Sequence, residues 1–345
     1  MALGTADHKG LVRSHIRREL NGYALLKDAI ASSRARAEKA AGDGSAALPP
    51  LVMDVGANHG LFALFAAALG AQVVVLEPQR ALCEVINAAA ALNGAAVAGR
   101  ITLYNYAALD AREFIDMSAA DVAEGAVATV VRGKEESGAQ KAKKGAVEAR
   151  PVSDFAPAGT RPICFLKIDV EGFELHAIAS SYPLFGVPPA ADGTEGVFAR
   201  VEHVVVEFGP PSRWRVADNT VADGAAVLRT MEETYGFENR LIDSLVWNDY
   251  SRKYAGSALP RSTTDFGENQ HVLKEYVSLR GADQASHLLK AMAAQGEGAS
   301  CCEAYVWFVR GPAAAGGEEE AAALATLGRE CPTRVRSGVY GCETP

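Results

Sequence analysis

From residue 51 onward the apolar positions alternate between strand-length and helix-length runs. Leu51–Val55 (LVMDV) and residues 72–77 (QVVVLE) are short apolar runs of the kind that parallel strands bury on both faces. A helix-length segment over 61–69 lies between them, a second helix covers 81–92, and a third strand covers 101–105. Asn93-Gly94 is expected to close that second helix, since both residues tolerate a left-handed turn. After an interruption the alternation resumes with a strand over 163–170 (ICFLKIDV), a helix over 173–181 and a strand over 201–208 (VEHVVVEF). A helix over 222–235, a strand over 240–247 and a last strand, Ala304–Arg310 (AYVWFVR), complete the series. Strands alternating with helices at this pitch predict an α/β fold with a mostly parallel sheet and helices on both faces.

The flanks and interruptions divide the chain. Leu11, Ile16, Leu20, Leu25, Leu26 and Ile30 share one side of a charged helical segment over 11–41, and GDGSAALPP (42–50) cannot continue it. The expected organisation is an N-terminal helical extension and linker (1–49), a main domain (50–310) with insertions at about 111–151 and 248–300, and a tail (311–345) with a helix near 318–327. In the first insertion 127–131 has strand character, and the lysine-rich run Arg132 to Lys144 has no apolar face to bury, so it is expected to be a solvated loop. The second insertion carries a helix near 284–294.

Charge and composition narrow the partners. The 345 residues hold 34 Lys+Arg against 42 Asp+Glu, a net charge of −8, which argues against a nucleic-acid backbone as the main partner. No apolar run approaches the roughly 18 residues of a membrane span. The N-terminus lacks the apolar core of a secretory signal, and acids lie among its arginines; the expected location is cytoplasmic, with organelle targeting left open. Cys83 and Cys164 fall in apolar runs and read as buried thiols, no spacing forms a paired zinc site, and a reducing compartment disfavours a Cys331–Cys342 disulfide. No metal is expected.

Two short segments carry chemistry. The first is Asp54-Val-Gly-Ala-Asn-His-Gly60, between a strand and a helix, where Gly56 and Gly60 permit a sharp turn and a close approach of backbone to a ligand. A dinucleotide site calls for a second glycine where this chain has Asn58, and the carboxylate of Asp54 suits a ligand with a positive end better than a phosphate. Glu77, closing the second strand, is placed to accept hydrogen bonds from two ribose hydroxyls. Asn105, closing the third, is placed to meet an adenine over Ala107 and Ala108. His59 reads as functionally neutral.

The second segment is Lys167-Ile-Asp-Val-Glu-Gly-Phe-Glu174. Lys167, Asp169 and Glu171 alternate and so share one side of the strand's end, where buried charge is costly without a task. A lysine–carboxylate tie between strand and helix, and a hard-cation site, are the competing readings. The candidates for a general base are Asp169, Glu171, Glu207 and His176, with Lys167 orienting Asp169. Trp214, Trp247, Tyr250 and Tyr254 serve equally as core residues or as stacking surfaces for an acceptor.

MDVGANHGLFALFAAALGAQVVVLEP, FLKIDVEGFELHAI and VVVEF together resemble the FkbM-type S-adenosylmethionine-dependent methyltransferases, over about residues 50–208 and more weakly to the last strand. The resemblance implies a Rossmann-like class I methyltransferase fold, a seven-stranded sheet with an antiparallel last strand, and O-methylation as the commonest chemistry. It implies S-adenosyl-L-methionine as cofactor, with Asp54, Gly56, Asn58, Gly60 and Glu77 as contacts, Asp169, Glu171 and Gly172 as the second motif, and a small-molecule, sugar or lipid acceptor. A nicotinamide-dependent oxidoreductase and a non-catalytic interaction module on the same fold are the readings from other classes.

Overall fold

The computed structural model of the chain describes residues 19–41, 46–116, 131–132, 146–158, 161–186, 200–242, 261–265, 273–293 and 304–310. In chain order, helix α1 (Leu20–Ala41) precedes β1 (Leu51–Val55), α2 (Leu61–Ala68), β2 (Gln72–Leu76) and α3 (Arg80–Leu92). A single helical turn α4 (Ala95–Ala98), β3 (Ile101–Tyr104), β4 (Ala107–Ala108), β5 (Glu113–Asp116), β6 (Val131–Arg132), β7 (Ala146–Arg150) and β8 (Phe165–Ile168) follow. The rest comprises α5 (Glu174–Phe185), β9 (His203–Phe208), α6 (Val221–Glu233), β10 (Phe237–Ile242), β11 (Arg261–Asp265), β12 (Leu273–Leu279), α7 (Gly281–Ala293) and β13 (Ala304–Arg310).

The main sheet runs β11-β12-β10-β13-β9-β8-β1-β2-β3. Strands β3, β2, β1, β8 and β9 are parallel neighbours, and β13 inserts antiparallel between β9 and β10. That is the class I methyltransferase arrangement of seven strands with an antiparallel last one. It is extended to nine here, because β11 and β12 form a hairpin on the free edge of β10. These two strands correct the sequence reading of 248–300, which held only a helix: RSTTD and LKEYVSL mix charge into their alternation and present no apolar run. The first insertion is corrected likewise, since β5, β6 and β7 join β4 in a separate four-stranded sheet. Residues 127–130 and 133–144, including nearly all of the lysine-rich run, lie outside the described residues, as do the first 18 residues, the tail, Cys331 and Cys342.

Alternate residues along each strand feed opposite layers of core. Val204, Val206 and Phe208 of β9 pack with Leu166, Ile168 and helices α5, α6 and α7, whereas Val205 joins Phe165, Trp307 and helices α1 and α2 on the other face. Helix α1 docks through Tyr23, Leu26 and Ile30, with the Tyr23 ring stacked on Phe62 at 4.2 Å. Cys83 and Cys164 are buried free thiols. Several details differ from expectation; α5 runs on to Phe185 rather than ending at 181. Strand β10 begins at Phe237 rather than 240. At the end of α3 only Gly94 takes a positive φ (94°), while Asn93 stays at −83° and its amide donates to Ala89 O. Among the described residues no helix is long and apolar enough to cross a membrane.

Candidate active site

Strand order reverses at β1, with β2 on one side and β8 on the other. Chain leaving the carboxyl ends of β1 and β8 therefore diverges and opens a crevice, which is where open α/β sheets bind ligands. The β1–α2 loop is shaped by three left-handed residues, Gly56 (φ 75°), Asn58 (53°) and Gly60 (75°). Gly56 N and Ala57 N donate to Leu76 O at 2.9 and 3.2 Å, folding the loop onto the end of β2. A Cβ at Gly56 would lie 1.8 Å from Asp169 O, so the two strand ends meet backbone to backbone. At Gly60 a Cβ would meet Ile86 at 2.8 Å.

A buried charge cluster underlies this crossing. Asp54 and Lys167 are register partners in the β1–β8 pair. Asp54 Oδ2 accepts from Ala63 N in the first turn of α2 at 3.1 Å; Oδ1 makes no hydrogen bond among the described residues and faces Lys167 Nζ at 3.8 Å. Lys167 Nζ donates to Asp169 Oδ2 at 3.1 Å and to Gly56 O at 3.4 Å, and lies 5.2 Å from the centre of the Phe62 ring. Burial pushes the Asp54 carboxyl up, with Lys167 opposing it. Burial also works against the charge of Lys167, but Asp169 and Asp54 together outweigh it and hold the ammonium above its ordinary range.

Glu77 stands just past β2, buried, with its N–H on Tyr104 O. Its Oε2 accepts from Asn58 N and its Oε1 from Gln79 N, each at 2.8 Å. Burial pushes this carboxyl up to about 7 against the pull of those two amides. Asn105 does not line the cavity beside it. Its Nδ2 donates to Glu77 O (3.0 Å) and Pro78 O (2.8 Å), bracing the loop, and its neighbour Tyr106 lines the cavity instead.

The β8–α5 loop supplies the facing wall. Asp169 N bonds Val55 O at 3.0 Å; Glu171 (φ 53°) and Gly172 (φ 107°) then turn the chain into α5. Glu171 Oε2 accepts from an Arg213 guanidinium nitrogen at 2.6 Å, and the same nitrogen is 3.7 Å from Glu207 Oε1. Glu174, the first residue of α5, accepts from Gly172 N (2.8 Å) and from the indole of Trp214 (3.1 Å), and burial pushes it up to about 7. Trp214 is therefore core rather than an acceptor surface, while Trp247, Tyr250 and Tyr254 lie outside the described residues. His176 does not reach the cavity: its ring nitrogens lie 3.1 Å from Asp110 Oδ1 and 3.2 Å from Ala217 O, tying α5 to its neighbours.

Counted out to its open mouth, and so with open solvent included, the cavity spans about 670 Å³. Of the residues singled out in the sequence, Gly56, Asn58, Glu77, Asp169 and Glu171 line it, together with Ala107 and Ala108. Asp54, Gly60, Lys167 and Glu207 stand behind the wall. Sequence reasoning missed Gln79, Tyr106, Ile115 and Phe173 in the lining, and Arg213 behind it. Gln79 had a signal, two residues past Glu77; Ile115 belongs to the insertion and had none. Among the described residues no lysine or arginine lines the cavity, although three carboxylates do.

A family model for the methyltransferase FkbM domain matches residues 54–238, more than half of the chain. The chain belongs to the FkbM family of S-adenosylmethionine-dependent methyltransferases. The matched FkbM region holds both loops and every lining residue of the cavity. No curated protein matches the chain. Similar solved structures include the precorrin-6y C5,15-methyltransferase of Geobacter metallireducens GS-15 (11% identity, 76% of this chain and 80% of that one, TM-score 0.30). A plantazolicin methyltransferase, BpumL, crystallised with a triazolic desmethylPZN analogue and S-adenosylhomocysteine, is 8% identical over 88% of this chain and 91% of that one (TM-score 0.33). The glycopeptide N-methyltransferase MtfA is 13% identical over 81% and 90% (TM-score 0.27).

Proposed function

We propose that this cavity binds S-adenosylmethionine and that the chain methylates a hydroxyl of a small-molecule, sugar or lipid acceptor. The observation that carries the reading is the charge of the wall: Glu77, Asp169 and Glu171 face a cavity that no cationic side chain lines among the described residues. Such a wall favours a cationic ligand and opposes a pyrophosphate. Asn58 N–H, which a dinucleotide would need, is already spent on Glu77. The residues present fit the nucleoside as well. Each Glu77 oxygen is held by one backbone amide and has a lone pair left for a ribose hydroxyl. Gln79 Oε1 is a buried acceptor without a partner among the described residues, and Pro78, Tyr106 and Ala107 offer apolar wall to a purine. When bound, the cofactor supplies an electrophilic methyl group.

The chain's own task is to bring an acceptor oxygen into line and to take its proton. Asp169 is the first choice for that base and Glu171 the second. Lys167 holds Asp169 in orientation from behind the wall, where Asp54 shares its charge. Glu207 does not line the cavity; its carboxylate lies near Arg213 and Tyr305, and acts through that network rather than on the acceptor.

Calorimetric titration tests the cofactor directly: S-adenosylmethionine binds and NAD does not. The dependence on pH is specific. Glu77 must be ionised to accept both hydroxyls, and its carboxyl titrates near 7, with Asp54 and Lys167 the charged groups facing it. Affinity therefore rises with pH through about 7 and levels off above. Folding stability runs the other way, because a raised carboxyl pKa disfavours the ionised folded state as pH climbs from about 4.5 towards 7. Glu77→Gln keeps the size but turns an amide NH2 towards one of the two backbone amides the carboxylate accepts from, and should abolish the rise while weakening binding by at least roughly 0.5–1.5 kcal/mol. A variant that keeps both affinity and its pH dependence refutes the ribose assignment. Glu174 titrates in the same range, and a rise surviving in Glu77→Gln would point there.

A further inference from the structure

Two carboxylates of the cavity wall, Asp169 and Glu171, each have a cation behind them, but the two arrangements differ. Lys167 reaches Asp169 from within the sheet, one strand away from its second partner Asp54. Arg213 reaches Glu171 from a separate segment, the 3-10 turn Arg213–Ala217 that follows β9. That turn grips the β8–α5 loop and the start of α5 at three points. Arg213 O lies 2.7 Å from where a Gly172 Cβ would stand, the Arg213 guanidinium takes Glu171, and the Trp214 indole takes Glu174. The guanidinium also neutralises Glu207, which β9 carries into the interior next to Tyr305. One cation thus serves one wall carboxylate and one buried carboxylate.

We propose that Arg213 is a positioning residue of this site, which keeps the Glu171 carboxylate charged and turned into the cavity by bridging it to Glu207. The inference rests on the reading of the cavity as an S-adenosylmethionine site. Its physical basis is that Glu171 has like charges on several sides: Asp169 and Glu174 on its own loop, Glu207 from β9 and Glu77 across the cavity. Without the guanidinium those neighbours favour a proton on Glu171, whereas Lys167 is committed to Asp169 and Asp54. A protonated Glu171 attracts a sulfonium less and accepts no proton from an acceptor.

The test needs no acceptor. S-adenosylmethionine carries a positive sulfur and S-adenosylhomocysteine a neutral one, so the ratio of their dissociation constants reads the charge of the wall, while the ribose contacts cancel. In the wild-type chain the ratio carries the titration of Glu77 near 7, and that profile is the reference from pH 5.5 to 8. In Arg213→Met the preference for the cation should fall at least threefold further than in the wild type as pH drops across that range, and Glu171→Gln combined with Arg213→Met should lose that extra fall. Arg213→Lys keeps a cation with a shorter reach and should show a smaller extra fall in the same sense; it carries the test if Arg213→Met does not fold. A ratio that follows the wild-type profile in the variants, with both nucleosides still bound, overturns the role of Arg213 and marks it as a structural tie. Failure of the wild-type chain to bind either nucleoside overturns the reading of the cavity itself.

Discussion

Gly56→Ala is expected to destabilise the chain by about 4 kcal/mol or more and to abolish cofactor binding. Two costs add. A φ of 75° costs an L-residue roughly 1–2 kcal/mol. The larger cost is steric: the new Cβ would stand 1.8 Å from Asp169 O, backbone that no side-chain rotation can remove. Relief requires wedging apart the carboxyl ends of β1 and β8, two adjacent parallel strands in the middle of the sheet. It would break the Asp169 N to Val55 O bond and part Lys167 from Gly56 O. Gly281→Ala is the control, since φ there is 72° and nothing lies within 4 Å of the added carbon. It should cost only the conformational part. Denaturant unfolding of both variants measures the difference, and equal destabilisation would show that the strand ends can part freely.

What the sequence makes legible follows from how local each signal is. Strands β1, β2 and β13 are near-continuous apolar runs, buried along almost their whole length, and apolar runs are what a period count detects. The pair β11–β12 and the small sheet of β4, β7, β5 and β6 have short or charge-bearing strands, which a period count does not detect even where the partner is near in the chain. The same distinction applies within the site. The convergence of Gly56, Asn58, Glu77, Asp169 and Glu171 on one cavity can be read from three loops at three neighbouring strand ends, because all are placed by the strand order alone. Which carboxylate faces inward cannot. Asp54 is drawn behind the wall by its register with Lys167, a pairing across strands more than a hundred residues apart in sequence. Asn105 closes the third strand as its position suggests, but it stands outside the cavity lining, with its Nδ2 donating to Glu77 O and Pro78 O. Arg213 carries no motif, and its importance lies wholly in what the turn after β9 is packed against.

The last prediction separates chemistry from scaffold at the second motif. Asp169→Asn is expected to lower turnover by at least ~10²-fold, the smaller end of what a positioned base contributes, while the fold survives. Survival follows from the local charge count. Asp54 and Lys167 are buried and Asp169, at the cavity wall, is half-buried; together they are two carboxylates around one ammonium, and the asparagine leaves Lys167 balanced by Asp54 alone. Removing one partner of a buried pair is severe when it strands the other; here the ammonium keeps a carboxylate at 3.8 Å and the Gly56 carbonyl at 3.4 Å. The amide oxygen can still accept from Lys167, so the loop keeps its course, but it is too weakly basic to take a proton from a hydroxyl. Affinity for S-adenosylmethionine should fall only modestly, through the loss of one of three wall carboxylates. Turnover is read as label transferred from S-adenosylmethionine into the product that the wild-type chain forms in a fractionated lysate, with thermal unfolding measured in parallel. Joint loss of stability, cofactor binding and turnover would make Asp169 a strut between β1 and β8. Full turnover in Asp169→Asn would pass the proton to Glu171, whose own substitution by glutamine should then bring the loss.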